Sequence, residues 1–445
     1  MNRKIVLIGA GSRYFETVIG ELAVTPELAG CSITLYDIDK GRMEMIKQAG
    51  RHIIKGAGAD LTLTSTTSLA RALDGADYAI SSIGVHGPDA KWHRRDSEVC
   101  AKFGIIHTTG DTVGPSGFSQ GLRIIPIYLK IAKAMTKYCP SVILLNHSNP
   151  MNPICRAIIK AHGINVIGYC HNVAGAVRFF SDILKVPPDE LEVTVAGPNH
   201  MNWLLAIRHK GRDVLPKLKK RIREMDPQPR QTFARDVLNL LDVFPIGGDR
   251  HMIEFFPHAR EATTPKNLRY GLEWRAHMIA KRGRLAKEIS DKPDELVRRA
   301  KGELPPRIPK KLSPESMGHQ VRAVALGLDK VHYVNTTNHG AVPNLPEWSV
   351  IELKGIVGSH GARPLFVGEL PPQAARWSLA TIYSQELMVD AAIEGSRGKA
   401  LMGLACDPMM TSFSEVEPLF DAIVQAQGDR LATFKKRAGG RRRKR

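Results

Sequence analysis

The chain has 445 residues, 43% hydrophobic and 24% charged, which is the composition of an ordinary globular protein with room for a large core in two domains. No apolar run approaches the length of a membrane span, and six cysteines without paired spacing (Cys31, Cys100, Cys139, Cys155, Cys170 and Cys406) fit free thiols in a reducing compartment. The formal net charge is +19; eight of the positive charges fall in residues 435–445, read as a solvated, disordered tail, and about +11 remains without them. No nucleic-acid motif is present and the basic residues are not interleaved with aromatics, so the excess is read as steering toward an acidic small substrate.

The start, Met1-Asn2-Arg3-Lys4, leads into a strand pattern without a signal-peptide cleavage pattern, and a cytoplasmic location is expected. Lys4 to Ile8 is a buried-strand run ending in Gly9-Ala10-Gly11-Ser12. A helix is expected over 17–23, then a strand from Ile33 to the acids Asp37 and Asp39. Glycines at a strand–helix turn let backbone N–H groups approach a pyrophosphate, and an acid closing the second strand accepts from ribose hydroxyls. Gly9, Gly11, Ser12 and Asp37 are therefore the candidate dinucleotide residues, with NAD preferred over NADP. The third glycine of the full fingerprint is missing, and a glycine turn in another α/β sheet is the competing reading.

Tyr78 to Gly84 is another buried strand, followed by a loop carrying His86, Trp92, His93, Arg94, Arg95 and Asp96. Ile105 to His107 leads into the polar, glycine-rich Thr108 to Gly117, with Asp111, which opens a helix over 120–137. Val142 to Leu145 is followed by Asn146-His147-Ser148-Asn149-Pro150. Ile164 to Ile167 precedes Gly168-Tyr169-Cys170-His171, and Val193 to Ala196 precedes Gly197-Pro198-Asn199-His200. The alternation predicts a Rossmann-like, doubly wound parallel sheet, whose ligands lie beyond the carboxyl ends of the strands. Arg95, Asp111, Asn149, Cys170 and His200 all follow predicted strands, and two strand ends that deliver a cysteine and a histidine form a candidate metal site.

From Val214 to Asn239 charged residues at helical spacing dominate; Gly247-Gly248-Asp249-Arg250-His251 then interrupts, ahead of Glu254-Phe255. Charged stretches over 274–303 and 315–328 follow, then strand and turn text from Val331 through Glu352, and helical spacing over 373–396. The expected division is a dinucleotide domain over 1–200, an α+β substrate, metal and oligomerisation domain over 201–434, and the tail over 435–445, with the last helices folding back on the first domain.

Taken together, Gly9 to Ser12, Asp111 with Leu122-Arg123-Ile124-Ile125-Pro126 after it, Ser148-Asn149-Pro150, Cys170-His171, Asn199-His200 and Asn335 to Pro346 resemble glycoside hydrolase family 4. The likeness runs over essentially the whole chain up to the tail. It implies a fold like that of lactate and malate dehydrogenases, NAD and a divalent metal (Mn²⁺ by family habit), and a homodimer or homotetramer. It implies C3 oxidation of the sugar, C2 deprotonation, loss of the C1 leaving group and addition of water, with no net oxidation. Cys170 and His200 match the metal ligands; as lone residues they would be read as a buried thiol and a capping histidine. Asp249 matches the base of the branch acting on non-phosphorylated sugars, its competing reading being a turn aspartate paired with Arg250. His171 stands where one branch has a leaving-group acid. Asp111 is expected to orient the sugar or a metal-bound water, and Asn149 and Arg95 to contact sugar hydroxyls; a surface ion pair is the alternative for Arg95.

Cys170-His171-Asn172-Val173 departs from the phosphosugar branch, and the chain looks closest to the α-galacturonidase and α-glucuronidase branch, with Arg250 and His251 facing a uronic carboxylate. The expected substrate is an anionic carbohydrate, an α-linked uronide. An α-glucosidase, α-galactosidase or 6-phosphoglycosidase of the same family is the second reading, and a non-catalytic NAD-binding regulatory protein the one from another class. No membrane or nucleic-acid partner is expected.

Overall fold

The computed structural model describes residues 2–86, 90–225, 232–257, 262–264, 267–268, 274–276, 278–281, 294–313 and 315–436. Six strands, β1 (Lys4–Ile8), β2 (Cys31–Tyr36), β3 (Leu61–Thr66), β4 (Tyr78–Ser81), β5 (Ile143–Asn146) and β6 (Asn165–Gly168), pair in parallel in the order 3-2-1-4-5-6. That order is the doubly wound dinucleotide fold, with its topological switch between β1 and β4. β1 and β4 are buried on both faces because helices cover both.

The sheet continues past β6. In chain order follow β7 (Leu191–Gly197), β8 (Asn202–His209), β9 (Arg212–Asp213), β10 (Phe244–Ile246), β11 (Ala262–Thr264), β12 (Asn267–Leu268), β13 (Lys330–Thr337), β14 (Val350–Gly358) and β15 (Gly361–Pro364). β13 pairs antiparallel with β6, β14 with β13, β7 with β14, β8 with β7 and β10 with β8. β11 and β12 form a separate pair. The α+β half is thus joined edge-on to the parallel half in one 13-stranded sheet of the described residues.

Helices α1 (Tyr14–Ala23) and α2 (Lys40–Ala57) cover one face; α3 (Leu69–Leu73), α4 (Lys91–Lys102), α5 (Gly114–Tyr138) and α6 (Met151–His162) follow, then α7 (Asn172–Leu184). α2 starts where Asp39 accepts from the Arg42 amide and stops at Gly58 in the left-handed region. α5 starts six residues before the expected position, because Pro115 suits a first turn and the Asp407 carboxylate accepts from the Gly114 amide at 2.9 Å.

The helix Pro372–Glu394 packs on α5 and α6, and the helix Phe413–Gln427 on α4, so the C-terminal helices return to the dinucleotide half. Their Met388, Val389, Phe420 and Ile423 share one core with Val6, Phe118, Tyr128 and Leu144. On the other face Phe15, Ile19 and Ile46 pack with Val321 and Val324 of the helix Met317–Leu326. No helix of the described residues is long and apolar enough to cross a membrane. Most of the basic tail, 437–445, lies outside the described residues, as do parts of the charged stretches 214–239 and 274–303.

Candidate active site

β6 and β7 each end in glycine, and the residues just past those ends meet. Cys170 Sγ lies 3.5 Å from His200 Nε2. His200 takes a left-handed φ of 67°, uncommon for a side-chain-bearing residue. The turn that imposes it is braced by a Met201 N–H donating to the Pro198 carbonyl and by Asn199, whose amide donates to Asn152 Oδ1. Buried Thr112 reaches His200 from the opposite side, with Oγ1 2.9 Å from Nδ1. Thr112 spends its single hydroxyl hydrogen on Asp111 Oδ1 at 2.7 Å. His200 Nδ1 must therefore carry the donated proton, which leaves the Nε2 lone pair facing the sulfur. Burial, with His251 adding to it, pushes the His200 pKa down to about 3, so the ring stays neutral. Burial also pushes the Cys170 thiol up to about 12, Glu352 adding to it.

Asp111, His200 and His251 bring one ligating atom each within 4.8 Å of one another. The His200 and His251 rings lie 3.8 Å apart between centroids. Asn149 Nδ2 donates to Asp111 Oδ2 at 3.3 Å. Burial raises the Asp111 pKa, but His251, His200 and the Thr112 hydroxyl outweigh it and hold the carboxyl below its usual range. Asn149 Oδ1 and His251 Nδ1 are buried and make no hydrogen bond.

The donor set fits a divalent transition metal. A sulfur and a neutral imidazole nitrogen face each other, a carboxylate lies alongside, and the histidine tautomer is already the ligating one. A cation there would offset the burial that now disfavours the thiolate.

The glycine turn suits a dinucleotide. Gly9 has φ 87°, and a Cβ on it would meet the Ser82 carbonyl oxygen at 2.5 Å. The Ser12 amide turns back to the Gly9 carbonyl. The Gly11 amide donates to Asp37 Oδ2 at 2.7 Å, and Asp37 Oδ1 accepts from the Asp39 amide at 2.8 Å. Asp37 is only half-buried, so its carboxylate keeps lone pairs open to a ribose.

Four expected site residues stand elsewhere. Arg95 stacks on Trp92 at 4.8 Å and donates to the Ala426 carbonyl, because α4 places positions 92 and 95 on one face toward the last helix. It is not in the ion pair expected with Asp96 or Glu98; Asp96 pairs with Arg123, and Glu98 with Arg94. Asp249 is fully buried, and its two oxygens accept from the Phe233 and Ala234 amides at the start of the helix Thr232–Leu241. Its carboxylate is spent on helix donors rather than turned to the cluster, and it does not pair with Arg250. Arg250 donates to the Thr108 carbonyl and accepts at its own carbonyl from Thr109 Oγ1, which ties it to the loop wall. His171 caps α7, is two-thirds exposed and pairs with Glu315 at 3.2 Å, which raises its pKa.

The sequence reading missed the residues that hold the loop and the turn. Glu254 accepts from the Thr108, Thr109 and Gly110 amides at 2.8, 2.8 and 3.0 Å. Its pKa is pushed up by burial, but His107 and these amides outweigh that and hold it below the ordinary value. Thr112 and Glu352 act on His200 and Asn199 in the same indirect way. Glu254 and Glu352 show in the sequence only as acids in apolar text and Thr112 only as one of several polar loop residues, which does not say what each faces.

A dinucleotide-type sheet with a thiol, two histidines and a carboxylate beyond its strand ends defines the class of this molecule. Residues 4–186 match the family 4 glycosyl hydrolases and residues 195–410 match the C-terminal domain of the same family; the chain belongs to it. An alpha-galactosidase of Bacillus subtilis (strain 168) is 27% identical over 441 residues, covering 97% of this chain and 100% of its own. An alpha-galacturonidase of the same organism is 28% identical over 450 residues, covering 95% and 97%. The chain is accordingly a glycosidase. Among solved structures, a Bacillus subtilis protein described as a candidate glucosidase superposes with a TM-score of 0.83 at 26% identity over 95% of this chain and 99% of its own. A 6-phospho-alpha-glucosidase from gut microorganisms, in complex with NAD and Mn²⁺, reaches 0.80 at 19% identity over 97% and 99%, which shows the shared fold. A malate dehydrogenase from Picrophilus torridus, at 0.53 and 15% over 88% and 99%, shares the fold more loosely.

Proposed function

We propose that this glycosidase cleaves α-linked uronides, galacturonides or glucuronides, using NAD and a divalent metal such as Mn²⁺. The observation that carries the reading is the Cys170–His200 pair beside Asp111 and His251, beyond the strand ends of a sheet whose first turn suits a dinucleotide. Bound NAD supplies reversible hydride acceptance at sugar C3, and the metal polarises the neighbouring oxygens.

The chain's own residues do the rest. Gly9, Gly11 and Ser12 present the turn to the pyrophosphate and Asp37 accepts from the ribose. Cys170 Sγ and His200 Nε2 hold the metal, and Thr112 fixes the His200 ring. His251, with Nδ1 3.8 Å from the Asp111 carboxylate, is the base assigned here, and Asp111, held anionic, stabilises the proton it takes. That assigns to Asp111 and His251 the work the sequence suggested for Asp249. Asn149 Oδ1, buried and without a partner, is offered to a sugar hydroxyl or to the metal. The uronide is supported by the positive balance of the chain and by the near full-length alpha-galacturonidase relative.

The alpha-galactosidase relative is matched over its whole length at nearly the same identity, and it favours a neutral galactoside as the second reading. A panel of p-nitrophenyl α- and β-glycosides, uronides and 6-phosphates, with NAD⁺, Mn²⁺ and a thiol reductant, separates them. Turnover of α-uronides alone supports the proposal; turnover of α-galactoside without α-uronide overturns it.

A further inference from the structure

Both candidate metal ligands follow strand ends that share one rung of the sheet. In register across four adjacent strands lie Gly168 of β6, Asn335 of β13, Glu352 of β14 and Gly197 of β7. Cys170 follows the first of these by two residues and His200 follows the last by three. Residues directly opposite on paired strands project to the same face, so Asn335 and Glu352 share one side of the rung between the two ligand-bearing strand ends.

A polar network ties those ends together. Glu352 Oε2 accepts from Asn199 Nδ2 at 3.0 Å. The Asn199 amide donates to Asn152 Oδ1. Asn152 Nδ2 donates to Asn335 Oδ1 at 2.9 Å, and Asn335 Nδ2 reaches the Gly168 carbonyl at 3.4 Å. All four side chains are at most 4% exposed, and Asn335 and Glu352 are at 0%. Burying a carboxylate here is costly and core packing does not ask for it. Its bond goes to the residue just before His200, and the other end of the network holds the carbonyl two residues before Cys170.

We propose that Glu352, through Asn199, Asn152 and Asn335, is a positioning residue for the metal centre, setting the left-handed His200 and the separation of its ring from Cys170. The network's bonds run to the two backbone segments from which the ligands project. Partners at this remove commonly change metal affinity by about 10–100-fold.

The inference rests on the metal reading above, and Co²⁺ titration of the full-length, NAD-free protein tests the two separately. The readouts are the thiolate-to-cobalt absorption band and the Co²⁺ Kd. Glu352→Ala and Asn152→Ala should each weaken Co²⁺ by about 10–100-fold and diminish the band. Glu352→Gln keeps an acceptor for Asn199 and should restore both to within about 3-fold of wild type. Asn338→Ala removes another buried hub, the one holding the Val342, Leu345 and Pro346 carbonyls, and should lower Tm while leaving the Co²⁺ Kd unchanged. A wild-type band that survives Glu352→Ala with unchanged Kd overturns the positioning role alone. Equal weakening by Asn338→Ala overturns it as well, by making the effect one of general stability. A wild-type protein that forms no thiolate–cobalt band overturns both the metal reading and this inference.

Discussion

At the scale of single residues, the site turns on which atoms are already spent. Thr112 has one hydroxyl hydrogen and gives it to Asp111, which fixes the His200 tautomer and leaves Nε2 facing Cys170. Cys170→Ser replaces a soft thiolate by a hydroxyl that stays neutral. It should abolish turnover while NAD⁺ binding, followed by calorimetry, is retained; full activity of that variant in the presence of chelator would remove the metal from the reaction. Asp249 and Asp111 make a paired prediction. Asp249 is bound to two helix amides, so Asp249→Asn should lower stability by about 1 kcal/mol and change kcat only a few-fold. Asp111→Asn should lower kcat by about 100-fold or more with little change in Tm. The reverse pattern would return the base to Asp249. These roles were partly visible in the sequence: Cys170 and His200 each follow a strand, and strand ends are where such sheets bind ligands, whereas residues 105–107, expected as the strand before Asp111, form none and Asp111 lies in the loop between α4 and α5. Asp249 follows β10 and Arg95 lies on α4, and the partners their side chains take there are set by the elements packed behind.

At the scale of elements, the loop from Thr108 to Val113 is clamped at both ends by carboxylates distant in sequence. Glu254 takes its amides, and Asp407 takes the first amide of α5. Burial raises the Asp407 pKa to about 6. Replacing Glu254 by alanine strands three buried donors and should cost roughly 2–3 kcal/mol. The pH dependence has a definite sign. The folded Glu254 carboxyl is held below its ordinary 4.5, so its stabilisation is present above pH 4.5 and is lost as the pH falls through the lowered folded value. The stability gap between wild type and Glu254→Gln, followed by urea unfolding, should therefore be largest near neutrality and narrow in acid. A gap independent of pH would mean the carboxylate is not ionised in the fold. Sequence periodicity located β1, β2, β4, β5, β6 and β7, because apolar runs are local; residues 105–107, expected as a strand, form none, and residues 92–96, expected in a loop, lie on α4. The early start of α5 was only partly legible: Pro115 marks a first turn, but the acceptor for the Gly114 amide is an aspartate some 290 residues away.

At the scale of the whole molecule, one sheet carries both halves, and β13 and β14 are the splice that joins β7 to β6 in one register. The proposed redox-assisted cleavage needs that splice, since the dinucleotide corner and both metal ligands must face one sugar. Deuterium at C2 or C3 of a cleaved substrate should slow the reaction by a primary isotope effect; a direct acid–base hydrolysis would leave the rate unchanged. The sequence alone determined the class of sheet, the turn at Gly9 to Ser12, and the two strand ends bearing Cys170 and His200. Those are matters of local pattern: apolar runs, glycines where backbone must approach closely, and chemistry placed after strands. Only the tertiary structure decided that Asn335 and Glu352 stand on the rung between those ends, that Glu254 clamps the Asp111 loop, and that Asp249 caps a helix. A buried polar residue is defined by its partner, and these partners lie tens to hundreds of residues away, in register only once the sheet has formed.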